Sequence, residues 1–291
     1  MSGLNRIFSC GRRFILAAGF IAALQGCASG PLNDADAIAN SASMQQQEIT
    51  SGSFRLTIFS RIRDANQPIT IYVDGDLRGW APSADPGIDS TPDEYLELRL
   101  AALDPATNVV FIAHPCQFGI ADPVCYNDTW QNGRLAEQVV SSINHAIDYV
   151  TITFIHPQVN LVGYSGGGAI AAVLAARRQD VISLRTIAGN LDPNGNGRAH
   201  AADPQDEFVD PMLIAPRLAM LPQIHFVGDK DVFVPPFLTE NFIKAIGPSY
   251  CVKVIQIPEA THRKGWEDAW AEYATKLPAC RALIDRSISP E

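Results

Sequence analysis

The stretch Asn160-Leu161-Val162-Gly163-Tyr164-Ser165-Gly166-Gly167-Gly168 constrains this chain more than any other. A short apolar run enters the pattern G-x-S-x-G, and an alanine-rich segment from Gly168 to Arg178 leaves it, with Arg177 and Arg178 where a helix C-terminus favours positive charge. A strand that passes into a helix through so few residues needs glycines where the two backbones approach. The same turn forces the central serine into a strained backbone conformation and exposes its hydroxyl. A serine capping a glycine-rich turn is the plainer reading, but a strand before and a helix after favour Ser165 as a nucleophile.

The rest of the chain repeats the alternation. Phe54 to Ile62, Ile69 to Val73, Asn108 to Ala113, Val159 to Val162, Leu184 to Ala188, Gln223 to Val227 and Val252 to Ile257 read as short apolar strands. Tyr95 to Leu103, Gly133 to Val150, Gly168 to Arg178 and Gly265 to Thr275 carry helical spacing. Alternating strands and helices predict an α/β chain with parallel strands joined by crossover helices, and no mid-chain linker divides it. Residues 28–50, rich in Ala, Ser, Asn and Gln, lack an apolar period and read as part of a flexible tether covering residues 27–51.

A serine hydroxyl needs a base at neutral pH, and the strand-turn-helix motif leads one to expect an acid and then a histidine on later loops. Both occur in that order. The run ending at Val227 leads into Gly228-Asp229-Lys230-Asp231, and the run ending at Ile257 leads into Pro258-Glu259-Ala260-Thr261-His262. His262 is the candidate general base. Asp231 is the first candidate to orient it, with Asp229 and Asp192 as alternatives, each of which could equally be a solvated loop acid. Oxyanion donors are expected from the backbone N–H of Gly166 and from the loop after Ile71-Tyr72-Val73, at Asp76 or Leu77. Asp74 and Asp76 would repel an oxyanion, so only main-chain donors can serve there, with the side chains turned away or held by Arg78.

The residues Tyr72-Val73-Asp74-Gly75-Asp76, Leu98-Arg99-Leu100-Ala101, Ala113-His114-Pro115-Cys116-Gln117, Gly163 to Gly168, Ala188-Gly189-Asn190-Leu191-Asp192 and His225-Phe226-Val227-Gly228 resemble a family of bacterial α/β-hydrolase-fold lipoproteins. The resemblance covers nearly all of the chain after its N-terminal segment. It implies an α/β-hydrolase fold over residues 52–291, a mostly parallel central sheet flanked by helices, and a short lid-like insertion is expected within it from position alone. It further implies a triad of Ser165, Asp231 and His262 and says nothing of the substrate. The expected chemistry is hydrolysis of a carboxylic ester in a small acyl substrate, with no cofactor. A thioesterase or peptidase would use the same groups, and a catalytically silent envelope lipoprotein that binds a ligand or partner is the reading from another class.

The N-terminus places Arg6, Arg12 and Arg13 before an apolar run from Phe14 to Leu24, the order of an export signal, and the run is too short to span a membrane. Leu24-Gln25-Gly26-Cys27 resembles a bacterial lipobox, which implies cleavage of residues 1–26 and lipid attachment at Cys27. The expected location is the cell envelope, anchored by lipid and facing the periplasm; a soluble periplasmic or secreted protein is the alternative. Arg12-Arg13 also fits a twin-arginine signal. Cleavage removes three arginines and no acids, shifting the formal charge from −9 to −12. Such a surface gives no reason to bind nucleic acid or anionic lipid, so membrane attachment rests on the acyl chains. Cys116, Cys125, Cys251 and Cys280 remain in a compartment that permits oxidation. Of three pairings, Cys116 with Cys125 and Cys251 with Cys280 close the shortest loops.

Three other features invite sharper readings than they support. Asp192-Pro193-Asn194-Gly195-Asn196-Gly197 with Asp203 is spaced like a calcium loop, but a strand precedes it and Asp replaces the usual last Glu, so a turn is favoured. No cysteine or histidine spacing matches a metal site, and none is expected. Residues 192–220 read as the lid-like insertion, where Phe208, Met212 and Leu213 offer apolar contacts or simply pack. His114, Trp80, Trp130, Trp266 and Trp270 read first as structural residues.

Overall fold

The computed structural model describes residues 31–75, 95–118, 137–195 and 209–281. Eight strands form one sheet in the order β1-β2-β4-β3-β5-β6-β7-β8. They are β1 (Gln45–Ser51), β2 (Phe54–Arg61), β3 (Ile69–Val73), β4 (Asn108–Ile112), β5 (Val159–Tyr164), β6 (Val181–Ile187), β7 (Gln223–Gly228) and β8 (Val252–Ile257). From β4 to β8 every pairing is parallel, while β1 and β2 add an antiparallel edge. The mostly parallel sheet expected from the alternation is therefore present.

Helices cover both faces, which is why β3, β4 and β5 are buried along their whole length and read as continuous apolar runs. On one face α3 (Glu137–Thr151), α4 (Gly166–Arg177), α5 (Pro211–Ile214) and α6 (Pro236–Ile246) meet Ile71, Val110 and Leu161. On the other, α1 (Pro31–Ser41), α2 (Leu96–Leu103) and α7 (Trp266–Tyr273) meet Tyr72, Phe111 and Val162. Adjacent strand residues thus serve opposite layers.

The tether expected over residues 27–51 is corrected from residue 31 onward, where α1 and β1 form. Ala35, Ala39 and Met44 are buried against the α2 layer. In β1 only Ile49 and Ser51 point inward, so an edge strand of sequence Gln-Gln-Gln-Glu-Ile-Thr-Ser carries almost no apolar signal. The α6 helix also went unread, although Pro at its start and Leu238, Phe242 and Ile246 on one face mark it. Of the stretch expected to form a lid, residues 196–208, including Phe208, lie outside the described residues. Its described end is part of the helical layer: Val209, Ala215 and Leu218 enter the core with Met212 against them, and Leu213 is exposed.

Two buried polar networks lock the layers. Arg185 is fully buried, donates to the Ala274 carbonyl at 2.7 Å, lies 3.7 Å from Asp104 and stacks 5.0 Å above Trp270. The indole of Trp270 donates to the Tyr72 hydroxyl (2.8 Å), which donates to Asp104 (2.7 Å). Trp270 is thus a packing residue with a polar duty. The pairing Cys251–Cys280 is present, joining the start of β8 to the chain after α7. Cys116 is disulfide-bonded, and its expected partner Cys125 lies outside the described residues.

His225, on β7, sits between Thr186 Oγ1 at 2.8 Å and Gln223 Oε1 at 3.0 Å. Gln223 Oε1 can only accept, so Nε2 carries the hydrogen and Nδ1 accepts from the threonine hydroxyl. Burial lowers the imidazole pKa to about 3. Between about 3 and the ordinary value of 6.5 the unfolded chain therefore binds a proton that the native state refuses, and stability rises with pH across that window. His225→Asn should remove up to one proton from the slope, about 1.4 kcal/mol per pH unit. It should also cost about 1–3 kcal/mol at neutral pH through the unpaired Gln223. Urea unfolding from pH 4 to 7 checks both, and an unchanged slope would refute the buried neutral histidine.

Candidate active site

The turn between β5 and α4 holds Ser165 at φ 50° and ψ −119°, a region that costs a non-glycine residue about 1–3 kcal/mol. Backbone bonds hold it there. Ser165 N–H donates to Ile187 O (3.1 Å), and Ser165 O accepts from Gly168 (3.1 Å) and Asn190 (2.8 Å). Close packing explains the glycines. A side-chain carbon at Gly167 would lie 2.1 Å from Val73 O, and one at Gly75 would lie 2.3 Å from Tyr164 O and 2.7 Å from the nitrogens of Gly166 and Gly167.

The sheet order then gathers three loops at the carboxyl ends of parallel strands. Ser165 Oγ stands 3.0 Å from His262 Nε2, and His262 Nδ1 stands 2.8 Å from Asp231 Oδ2. A carboxylate only accepts, so Nδ1 carries the hydrogen and Nε2 is left to accept from the serine hydroxyl. The other Asp231 oxygen accepts from Phe233 N (2.9 Å) and Val234 N (2.8 Å), which fixes the carboxylate. The loops of Asp231 and His262 are joined directly, Lys230 N–H donating to Ala260 O at 3.0 Å.

The two alternative acids are placed elsewhere. Asp192 Oδ2 accepts from Asn241 of α6 at 2.9 Å, and Asp229 makes no hydrogen bond to His262 among the described residues. Asp192 therefore belongs to a loop-to-helix tie. The rest of the calcium-like spacing, including Asp203, lies outside the described residues, as do Cys27, Leu77, Arg78, Trp80 and Trp130. Of the expected oxyanion donors, Gly166 N lies at the turn beside Gly75; Asp76 lies outside the described residues. His114 is buried after β4, its backbone N–H donating to Gln117 Oε1 at 3.2 Å, a local loop contact. Among the described residues no group of three or more His, Cys, Asp or Glu is placed to hold a metal ion.

Three residues escaped the sequence reading. The Tyr164 hydroxyl donates to the His262 carbonyl at 2.5 Å, and burial, reinforced by Glu97, Asp231 and Asp74, pushes its pKa well above 10. Trp266 donates to the same carbonyl at 3.0 Å, so this tryptophan positions the histidine loop rather than merely packing. Glu97, on α2, is buried, and burial raises its carboxyl above the usual carboxylate range. Only Tyr164 was marked in the sequence, by lying inside the motif. Ser165 itself was expected to be exposed; it is 1% exposed, with His262 in contact and the β3 exit packed on its turn.

Comparison with known proteins agrees with this topology. The protein Est1E from Butyrivibrio proteoclasticus, with ferulic acid bound, superposes with a TM-score of 0.56 at 14% identity, over 78% of this chain and 97% of the other. A serine hydrolase homologue from Coxiella burnetii gives 0.54 at 16% identity, over 79% and 93%. A bacterial membrane phospholipase A described as a virulence factor gives 0.55 at 16%, over 83% and 88%. The chain has the α/β-hydrolase fold. No protein-family model matches the sequence, and no curated protein matches it. In this α/β-hydrolase fold the hydrogen-bonded line from Ser165 to Asp231 occupies the strand ends where the sheet gathers its loops.

The packing at the turn is directly testable. Gly167→Ala should unfold the turn or the protein, because the obstructing atoms at Val73 and Asp74 are backbone. Gly166→Ala should leave the thermal midpoint near that of the parent, since an added carbon meets nothing nearer than Gly75 Cα at 3.9 Å. Thermal melts of the two variants check the contrast, and equal midpoints would contradict it.

Proposed function

We propose that this chain is a serine hydrolase that cleaves a carboxylic ester through an acyl-enzyme, held in the cell envelope by lipid at Cys27. The observation that carries the catalytic reading is the continuous line Ser165 Oγ, His262, Asp231 on a strained strand-to-helix turn. Ser165 Oγ attacks the ester carbonyl while His262 Nε2 takes its proton, and Asp231 steadies the imidazolium. The negative charge on the carbonyl oxygen is met by the N–H of Gly166, with Asp76 N–H as the expected second donor. When the C–O bond breaks, His262 returns the proton to the departing alcohol. A water molecule, deprotonated by the same nitrogen, then attacks the acyl carbon; the acid is released and Ser165 regains its hydrogen.

The rim supports an ester with an apolar part. Phe233 lies 5.7 Å from the His262 ring and is 43% exposed, and Val232 and Phe237 are 75% and 42% exposed. Ferulic acid bound to Est1E and the phospholipase activity named for another structural neighbour are consistent with acyl compounds as substrates.

A fluorophosphonate probe should label the purified protein at Ser165. Ser165→Ala should abolish labelling and lower ester turnover by about 10⁴-fold or more, and His262→Ala should behave alike. Asp231→Asn should lower turnover by roughly 10³–10⁴-fold, whereas Asp192→Asn should stay within a few-fold. Labelling retained in Ser165→Ala, or none in the folded wild type, would sink the reading. For the anchor, cells fed labelled palmitate should mark the full chain and not Cys27→Ser; equal marking of both would remove it.

A further inference from the structure

The loop that delivers His262 also walls a cavity that the chemistry proposed above does not use. Thr261 and Lys264 close this loop on itself, Thr261 N–H donating to Lys264 O at 3.1 Å and Lys264 N–H to Thr261 Oγ1 at 3.2 Å. The Trp266 indole, on the cavity wall, donates to the carbonyls of Thr261 (2.9 Å) and His262 (3.0 Å). Cavity and imidazole therefore belong to one braced turn. The cavity, of about 270 Å³, lies where α2 and α7 begin, lined by Arg99 of α2 and by Arg263, Lys264, Glu267 and Asp268. Small-molecule pockets start at roughly 300 Å³, so this one suits one end of a substrate.

Three cations and two acids line it, in a chain whose formal charge is −9. Arg99 is paired with Glu267 at 3.6 Å. Among the described residues no ion pair or side-chain hydrogen bond occupies Arg263 or Lys264, and both are exposed. The remaining acid, Asp268, offsets one charge, so the cavity keeps a net positive charge. A cavity between α3 and α4 gives the contrast. There Arg177 donates to both oxygens of Glu137 at 2.6 and 2.8 Å, and Arg178 to Asp148 at 2.6 Å and to Asp180 at 2.9 and 2.7 Å, which leaves no guanidinium for a ligand. A guanidinium presents a planar fork that fits the oxygens of a carboxylate or phosphate, and a neighbouring ammonium adds a second charge.

We propose that Arg263 and Lys264 form a subsite for an anionic group of the substrate, a carboxylate or a phosphate, beginning one residue from His262. The proposal rests on the serine-hydrolase reading of Ser165 and names the class of ester, one that carries a negative charge near its scissile bond. Consecutive α-carbons lie about 3.8 Å apart, so an anion on the Arg263 fork is within reach of an ester whose carbonyl sits between Ser165 and His262. The apolar rim at Phe233, 5.7 Å from the same imidazole, takes the other part of the molecule. The two cations touch substrate and not the reacting atoms. They therefore lower KM for a charged ester and leave the chemical step to the triad. A net-negative chain repels anionic substrates at long range, and a local positive patch beside the histidine offsets that repulsion.

The test uses the purified protein and matched esters. Each anionic ester bears a carboxylate or a phosphate on its acyl or its alcohol part and is set against a neutral counterpart of the same length. The wild type should turn over at least one anionic ester with kcat/KM about tenfold above its counterpart at low salt, and the ratio should fall as ionic strength rises. Arg263→Gln combined with Lys264→Gln should lower that ratio about tenfold, through KM and not kcat, the scale of two exposed charge-assisted contacts. Lys253→Gln, which removes an exposed positive charge from β8 outside the cavity, should leave the ratio unchanged. A preference confined to phosphate or to carboxylate esters tells which anion the subsite holds. A wild type without any preference, or a preference that survives in the double variant, overturns the subsite, while fluorophosphonate labelling of Ser165 still upholds the hydrolase. A wild type that takes neither the probe nor any ester removes the hydrolase reading, and the subsite falls with it.

Discussion

The close approach of β3, β5 and α4 around Ser165 is the constraint on which the site depends. A seryl residue at φ 50° is held where an extended or helical conformation would be easier, and backbone bonds from β6 and its following loop keep it there. The strain is tolerable because β5 lies between β3 and β6 with every residue buried, so the turn can relax only by disturbing the centre of the sheet. Placing Ser165 at that turn also places Gly166 N at the first turn of a helix, where a backbone N–H has no partner within the helix.

His262 and Asp231 are held by a second set of contacts that has little to do with their own side-chain chemistry. Tyr164 and Trp266 both donate to the His262 carbonyl, one from the strand that delivers the serine and the other from α7. Asp231 spends one oxygen on two backbone N–H groups and offers the other to the imidazole. The tautomer of His262 follows from this, because an anchored carboxylate that only accepts leaves Nδ1 no role but donor. An Nε2 that faces Ser165 is then a consequence of loop geometry.

The sequence disclosed what is local and hid what is long-range. The turn at Ser165 was legible because strand, glycines and helix are consecutive, and β7 and β8 because each apolar run stops at a loop holding a candidate residue. The edge strand β1 was not, since it is solvated on most of its length and only Ile49 and Ser51 are drawn inward by pairing with β2. The choice between Asp192 and Asp231 was also out of reach, because both follow strands of the right kind. What separates them is a contact to Asn241, forty-nine residues away in the chain. Glu97 gave no sign at all, as nothing in a helical segment rich in leucine shows that its one early acid is buried.

The buried acids near the turn bear on the electrostatics of the site. Asp74 looked from the sequence like a charge that an oxyanion would have to endure, and in isolation it would be. Asp74 and Glu97 are 1% and 3% exposed, so both acids are turned away from solvent. On the proposed serine-hydrolase reading the oxyanion is left to main-chain N–H groups such as that of Gly166, beside the exit of β3. On that reading a strongly acidic chain assembles a site for developing negative charge from its backbone, because Asp231 is turned to His262 and held from behind by two N–H groups.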